Sequence, residues 1–365
     1  MKFLLDTPGS CAAETLMPLA HGARLWGSIM VLFTMAALAS PAGAELSKEW
    51  RWCTGKDNVP IELLIKSCTH VIKSAREPAE HLATAFYNRA TAHRIQGWYD
   101  RAIHDYDEAI RLDPEYALAY NDRGTSYSRK AQPRRAIQDY DRAIRLDPAM
   151  AFAFSNRGNA YASRGELDRA MQDYDEAIRL DPSHASAFNN RGYAHRSKGD
   201  LKRALQDFDQ AIRLDPGYAL AFKNRGLVLT ITGEHERAIR DFDQLIRLEA
   251  RNATAWTARC VARALAGRLT PALADCNEAL RLHPGSPDAF EARGFVHLKL
   301  GQPDRAIFDY DAALRIDPKS LRSLYGRGLA KRQKGDDSGS EVDIIAVKAL
   351  RSDVADDFAR LDVRP

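Results

Sequence analysis

A ten-residue phrase recurs seven times in this chain at an unvarying interval. It reads DYDEAIRLDP at residues 105–114, and the later copies change only some of its letters. The copies end at residues 114, 148, 182, 216, 250, 284 and 318, which places them 34 residues apart. A catalytic site needs one copy of its chemistry. A fixed period of this size instead indicates an array in which every repeat is one supersecondary unit.

Each unit predicts a helix, a turn and a second helix. We number the positions of a unit so that position 1 of the first unit is residue 83 and position 32 is residue 114. Positions 4, 8 and 11 share one helical face, and positions 20, 24 and 27 share another. Glycine at position 15 predicts the turn, and proline at position 32 ends the second helix. Because one such hairpin cannot bury its own apolar face, neighbouring hairpins are expected to stack.

This pattern of aromatic, glycine, alanine and proline positions resembles the tetratricopeptide repeat. The resemblance covers about eight units and implies an all-α fold, an α-solenoid in which helix–turn–helix repeats follow a right-handed superhelix. The predicted organisation is a signal peptide with an N-terminal extension at 1–44, a capping segment at 45–82, the repeat array at 83–354 and a C-terminal tail at 355–365. The last unit lacks the terminal proline and is expected to be a cap with a more polar outer face.

The chain departs from the family at position 7, where all eight units carry arginine in place of the usual leucine. A partly buried arginine needs acceptors. Aspartate recurs at position 23, as in Asp105 and Asp139. We therefore expect a ladder of structural ion pairs between hairpins.

An apolar run without charged residues, 25–39, precedes the repeats. Arg24 comes before it, Pro41 ends it, and the small residues 42–44 follow, which is the order of a secretory signal peptide. The run has 15 residues, fewer than the roughly 20 of a membrane-spanning helix. We expect cleavage after Ala44 and a periplasmic or secreted protein. The alternative is a retained run that anchors the chain in the inner membrane.

Four cysteines follow the predicted cleavage site. Cys53 and Cys68 lie in a short segment before the repeats and are expected to form a disulfide, which would stabilise the fold by about 3 kcal/mol. Cys260 and Cys276 occupy core positions 8 and 24 of one repeat. Those two are expected to act as small buried apolar residues, and the sequence leaves open whether they pair.

The resemblance implies that the first helices line a concave groove that binds a protein or an extended peptide. The predicted groove residues are Asn88, Asp122, Asn156, Asn190 and Asn224 at position 6, together with Tyr193, Arg196, Leu227, Val261 and Phe295. The carboxamides offer both a donor and an acceptor to a peptide backbone, or are simply solvated polar residues. Position 9 changes from polar to apolar along the array, which predicts an exposed apolar strip in the C-terminal half. A covering helix or the superhelix itself would bury that strip instead.

Enzymatic activity is not expected. The chain has no nucleophile elbow, zinc-protease motif or phosphate loop, and His93, His195 and His297 are three repeats apart. Its 53 basic and 49 acidic residues alternate in sign within the repeats, which does not favour nucleic-acid binding. We predict a non-enzymatic, cofactor-free interaction scaffold of the cell envelope. The alternative is a membrane-tethered component of envelope assembly.

Overall fold

The computed structural model describes residues 47–74 and 77–350. This part of the chain contains eighteen helices and no strand, and its helices pair into stacked hairpins, which confirms the predicted all-α solenoid. None of these helices is long and apolar enough to cross a membrane. The predicted signal peptide and the predicted tail lie outside the described residues.

The chain divides into two compact units, with the boundary after Leu180. The first unit contains the predicted capping segment, formed by α1 and α2, and three hairpins. Its helices are α1 Lys48–Cys53, α2 Ile61–Ser74, α3 Ala79–Ile95, α4 Tyr99–Leu112, α5 Ala117–Arg129, α6 Pro133–Leu146, α7 Ala151–Ser163 and α8 Leu167–Leu180. Cys53 and Cys68 form a disulfide that joins α1 to α2, and both lie in an apolar cluster with Trp50, Val71 and Ala85.

The second unit consists of five further hairpins. Its helices are α9 Ala185–Ser197, α10 Leu201–Leu214, α11 Ala219–Ile231, α12 His235–Leu248, α13 Ala253–Leu265, α14 Leu269–Leu282, α15 Pro287–Lys299, α16 Pro303–Ile316, α17 Leu321–Lys334 and α18 Asp337–Leu350. In every hairpin the two helices contact each other, and within each unit the second helix contacts the first helix of the next hairpin. The apolar core therefore runs between helices along the length of each unit.

Close helix packing explains the small residue at position 8. A Cβ atom added to Gly158 would lie 2.7 Å from Cε1 of Tyr174 at position 24, inside van der Waals contact. One repeat solves this differently, because Cys260 and Cys276 occupy the same two positions and form a disulfide. Both cysteines are buried, as expected, and the pairing that the sequence leaves open is a disulfide. The sequence contains a signal for this disulfide, since the one repeat with cysteine in place of glycine at position 8 also has cysteine in place of the aromatic residue at position 24.

The turns between the two helices of a hairpin require one residue in the left-handed backbone conformation, with positive φ. Glycine fills this place in most repeats, as in Gly97 with φ 76° and Gly199 with φ 84°. The second repeat uses Ala131 instead, with φ 55°. The Cβ atom makes this conformation unfavourable for alanine, so the packing of the two helices enforces it there.

Arginine at position 7 pairs with aspartate at position 23 in all eight hairpins. Nε donates to Oδ2 at 2.8–2.9 Å and Nη2 donates to Oδ1 at 2.6–2.7 Å. Both residues belong to the same hairpin. The expectation that this pair connects different hairpins is therefore wrong. The two helices of one hairpin already place the arginine guanidinium opposite the aspartate carboxylate.

The connection between hairpins comes from the remaining nitrogen of the same arginine. Nη1 of Arg157 donates to Oδ1 of Asp141, at position 25 of the preceding hairpin, at 2.7 Å. Arg225 makes the same contact with Asp209, also at 2.7 Å. One guanidinium thus joins its own hairpin by two hydrogen bonds and the previous hairpin by a third.

The first helices lie on the concave side of each unit. In the first unit α3 contacts α5 and α5 contacts α7. In the second unit α9, α11, α13, α15 and α17 contact one another in sequence. The described second helices show no comparable contacts. Since the first helices are closer together, each stack curves towards them.

The outer face of the last helix is mixed, because exposed Glu341 and Lys348 lie beside exposed apolar residues. Val342 is 68% exposed and Ile345 is 57% exposed, and both lie on one side of α18. The inner side of α18 is buried against α17 through Ile344 and Val347. The final hairpin therefore packs like the others, and its outer side carries both charged and apolar exposed residues.

Candidate functional site

The carboxamide row of the first unit is part of a hydrogen-bond network between repeats. Asn88, Asp122 and Asn156 are half-buried on the concave side. Nδ2 of Asn156 donates to Oδ1 of Asn121 at 3.1 Å, and Nδ2 of Asn121 donates to Oδ1 of Asp122 at 2.9 Å. The hydroxyl of Tyr87 donates to Oδ2 of Asp122 at 2.9 Å. These side chains already connect successive first helices.

The second unit repeats this arrangement. Asn224 is buried, and its Nδ2 donates to Oδ1 of Asn189 at 2.9 Å. Nδ2 of Asn189 donates in turn to Oδ1 of Asn190 at 3.1 Å. The position 6 carboxamides thus interact with position 5 side chains that the sequence pattern did not single out. Peptide binding by this row stays a prediction.

Polar residues at position 9 have an internal role. In the first unit they contact the tyrosine hydroxyl at position 24 of their own hairpin. The contacts are Thr91 with Tyr106 at 3.1 Å, Tyr140 with Thr125 at 3.3 Å, and Tyr174 with Asn159 at 2.8 Å. Since the aromatic ring is buried, its hydroxyl needs this partner. The polar side chains at position 9 in this unit therefore serve as hydrogen-bond partners for the buried tyrosine hydroxyls.

The apolar residues at position 9 are buried in the second unit. Leu227 is 8% exposed, Val261 is 5% exposed and Phe295 is 2% exposed. The expectation of an exposed apolar strip is wrong for these side chains, because the curvature of the stack brings successive first helices together over them. The three residues nevertheless line one common pocket.

This pocket opens on the concave side of the second unit and has a volume of about 80 Å³. Its apolar wall also includes Leu245, Ala255, Ala258 and Ala292. Its polar residues are Lys223, Thr254, Thr257, Asp288, Glu291, Tyr310 and Arg322. The pocket is thus built by the first helices α11, α13 and α15, with one residue each from α12, α16 and α17.

Glu291 and Arg322 form the charged side of the pocket. Nε of Arg322 lies 2.9 Å from Oε1 of Glu291, and its Nη2 lies 3.6 Å from Oδ1 of Asp288. Ser320 and Ser323 donate to the other oxygen of Glu291 at 3.0 and 2.8 Å. Burial raises the pKa of Glu291 above its usual range, and Arg322 opposes that shift. The carboxylate is therefore fully engaged inside the protein.

Two arginines on the first helices, Arg94 and the predicted groove residue Arg196, are in part engaged with neighbouring groups. Nη2 of Arg94 lies 3.9 Å from Oδ2 of Asp122, and its Nε donates to the hydroxyl of Tyr106 at 3.4 Å. Arg196 lies over the ring of Tyr193, 6.0 Å from its centroid. Both residues of this last pair are half-buried on α9, and their part in binding stays a prediction.

The three histidines at position 11 belong to the core of separate repeats. His93, His195 and His297 are 7–8% exposed, and each lies within 3.2–3.9 Å of the position 23 aspartate of its own hairpin. Lys331 occupies the same position in the last repeat and lies 2.8 Å from Asp343. Lys331 thus acts as a second cation for its structural aspartate, whereas burial lowers the pKa of His93 and His195 and so disfavours their charged forms. In the described part of the chain, no group of His, Cys, Asp and Glu side chains is arranged to hold a metal ion.

Family models match most of the array. Models described as TPR repeat match residues 90–130 and 158–196, and models described as tetratricopeptide repeat match residues 117–150, 185–218, 224–287 and 287–320. A search of curated proteins finds no match.

Solved structures of similar fold include Cut9–Hcn1 of the APC/C, with 18% identity over 74% of this chain and 52% of that chain, at a TM-score of 0.58. PilF of Pseudomonas aeruginosa shows 19% identity over 59% of this chain and 98% of its own, at a TM-score of 0.54. YrrB, a TPR protein with an unusual peptide-binding site, shows 26% identity over 52% of this chain and 97% of its own, at a TM-score of 0.45.

Proposed function

Because this chain belongs to the tetratricopeptide repeat family, we propose that it is an exported scaffold that holds a segment of another protein against its first helices. Repeat solenoids provide extended concave surfaces of this kind for protein interactions. The residues that repeat in every unit build the core and the ion pairs. Residues on the concave side differ from unit to unit, which is what a surface that selects a partner requires.

The pocket of the second unit is the observation that carries the proposal. Three successive repeats contribute Leu227, Val261 and Phe295 to one apolar wall. Thr254 stands at the same pocket and is exposed. A concave, mostly apolar site with a few polar groups is the usual form of a binding site. The partner segment is expected to cross this pocket along the first helices.

Export is supported by the two disulfides and by the apolar run at residues 25–39. Disulfides persist in oxidising compartments such as the periplasm and are rare in the cytosol. The cysteines of both disulfides, Cys53–Cys68 and Cys260–Cys276, are fully buried. Mass spectrometry of the mature protein tests this proposal, since cleavage predicts a first residue Glu45. A chain that retains residues 25–39 would favour the membrane-tethered alternative.

Site-specific photo-crosslinking tests the groove. A benzophenone amino acid at Thr254 is expected to capture a partner in cells. The matched control is Ala274, which is exposed on the second helix α14 of the same repeat and should capture none. Equal capture from both positions, or capture from Ala274 alone, would rule out binding on the concave side.

A further inference from the structure

Tyrosine at position 24 follows a rule in the first unit. The hydroxyls of Tyr106, Tyr140 and Tyr174 each contact a polar side chain at position 9 of the same hairpin. Where position 24 is phenylalanine, as at Phe208 and Phe242, no hydroxyl needs a partner. In these repeats, a tyrosine at position 24 therefore occurs together with a polar side chain at position 9.

The seventh repeat breaks the rule. Tyr310 at position 24 is opposite Phe295 at position 9, which cannot form a hydrogen bond. Tyr310 is 1% exposed, and its hydroxyl has no hydrogen-bond partner among the described residues. A nearby residue of the next repeat is Gly326, where an added Cβ would lie 2.6 Å from this hydroxyl. Glycine brings no side-chain acceptor to that place.

An unsatisfied buried hydroxyl destabilises the fold, and phenylalanine at this position would avoid the loss. Glu291 does not supply the missing acceptor, since the hydrogen bonds of its carboxylate come from Ser320 and Ser323 and its ion pair from Arg322. The hydroxyl group of Tyr310 is therefore buried but makes no hydrogen bond within the described part of the protein. Such a group calls for a specific explanation.

The position of Tyr310 points to a ligand. Its side chain lines the concave pocket together with Phe295 and Val261. The charged residues of this pocket, Lys223 and Arg322 against Asp288 and Glu291, balance in sign. An uncharged group is therefore favoured inside. The cavity volume of about 80 Å³ is well above the roughly 10–15 Å³ that one water molecule needs, so the pocket has room for a side chain.

We propose that this pocket receives one uncharged apolar side chain of the partner segment, and that Tyr310 donates a hydrogen bond to an oxygen acceptor of the same segment. This inference rests on the proposed groove function and names the chemistry of its central contact. The pocket and Tyr310 together restrict which partner segments can bind. Such a segment must combine an apolar side chain with a nearby carbonyl or hydroxyl oxygen.

Short peptides selected from a random phage-displayed library against the wild-type protein provide the probe. The dissociation constant of a selected peptide and the melting temperature are measured for Tyr310→Phe. We expect affinity to fall roughly threefold to tenfold, the range of one hydrogen bond. The melting temperature should rise by roughly 2–4 °C, because the unsatisfied hydroxyl is gone.

Tyr174→Phe is the matched control, since its hydroxyl is bonded to Asn159. It should lower the melting temperature and leave peptide affinity unchanged. A Tyr310→Phe protein that is less stable than wild type, or that binds the peptide equally well, would overturn the role of Tyr310.

Val261→Gln distinguishes the pocket proposal from the more general proposal that the groove binds a partner. The polar side chain should abolish binding of a peptide whose apolar residue enters the pocket. If the peptide still binds this variant while Thr254 cross-links to it, the pocket proposal fails and the groove function stands. If no library peptide binds the wild-type protein and Thr254 captures no partner in cells, both proposals fail together.

Discussion

Replacing Arg157 by methionine tests the ion pairs that recur in every repeat. Methionine keeps a long unbranched side chain but removes three hydrogen bonds, two to Asp173 at 2.9 and 2.7 Å and one to Asp141 at 2.7 Å. The Arg157 side chain is 19% exposed and that of Asp173 is 7% exposed. The substitution therefore leaves a buried carboxylate without its counter-ion.

The expected loss follows from that burial. Removing one partner of a buried pair costs about 3–5 kcal/mol, mostly because the remaining charge stays desolvated. Asp141 is 34% exposed, so water compensates for much of its lost contact and it adds little. We expect Arg157→Met to lower the free energy of unfolding by about 3–4 kcal/mol at neutral pH. Replacing Asp173 by leucine in the same chain should recover most of this loss.

Acidification should reduce the effect. Burial raises the pKa of Asp173 above its ordinary value even beside Arg157, which opposes the shift. Without the arginine the pKa rises further, so the folded variant binds a proton that the unfolded chain does not yet bind. Stability therefore increases as pH falls through the folded pKa towards the unfolded value, and the difference from wild type becomes smaller.

Urea-induced unfolding, followed by circular dichroism at neutral and mildly acidic pH, measures both effects. Arg179→Met is the control, because the one ion pair of Arg179 among residues 47–74 and 77–350 is an exposed pair with Glu176, and this variant should show no measurable change. A loss below about 1 kcal/mol for Arg157→Met, typical of a surface pair, would refute the reasoning. A loss that grows on acidification would refute the charge argument in particular.

Three further changes give distinct outcomes. Ala131→Gly relieves the left-handed alanine with φ 55° and should raise stability by about 0.5–1 kcal/mol; a decrease in urea unfolding would show that the conformation is not strained. Reduction of the Cys260–Cys276 disulfide should lower stability by about 3 kcal/mol, whereas Cys260→Gly with Cys276→Tyr rebuilds the usual pair and should lose only the smaller amount that reduction of Cys53–Cys68 costs; an equal loss on reduction of both proteins in urea unfolding would count against a stabilising Cys260–Cys276 bond. Burial lowers the pKa of His195, so the unfolded chain binds its proton first and stability falls as pH drops below about 6.5. His195→Tyr should shrink that loss, and an unchanged pH dependence of the melting temperature would count against this origin.

The repeat period alone determined the hairpin architecture. Apolar spacing along one helix depends only on local geometry, so positions 8 and 24 are identifiable as core positions without coordinates. The small residue at position 8, the glycine turn and the pairing of arginine with aspartate follow from chemistry that every copy repeats. The Cys53–Cys68 bond was predictable for a different reason, since the two cysteines lie in a short segment with little core of its own.

Tertiary structure decided what each position faces. Periodicity shows which residues share a helical face, but it does not show which of them is covered when curved stacks bring neighbouring helices together. Position 9 was therefore expected in an open groove, whereas Thr125 bonds a core tyrosine and Phe295 is buried. The unpartnered hydroxyl of Tyr310 is a property of two helices packed across a pocket, and only the distance between their side chains could reveal it.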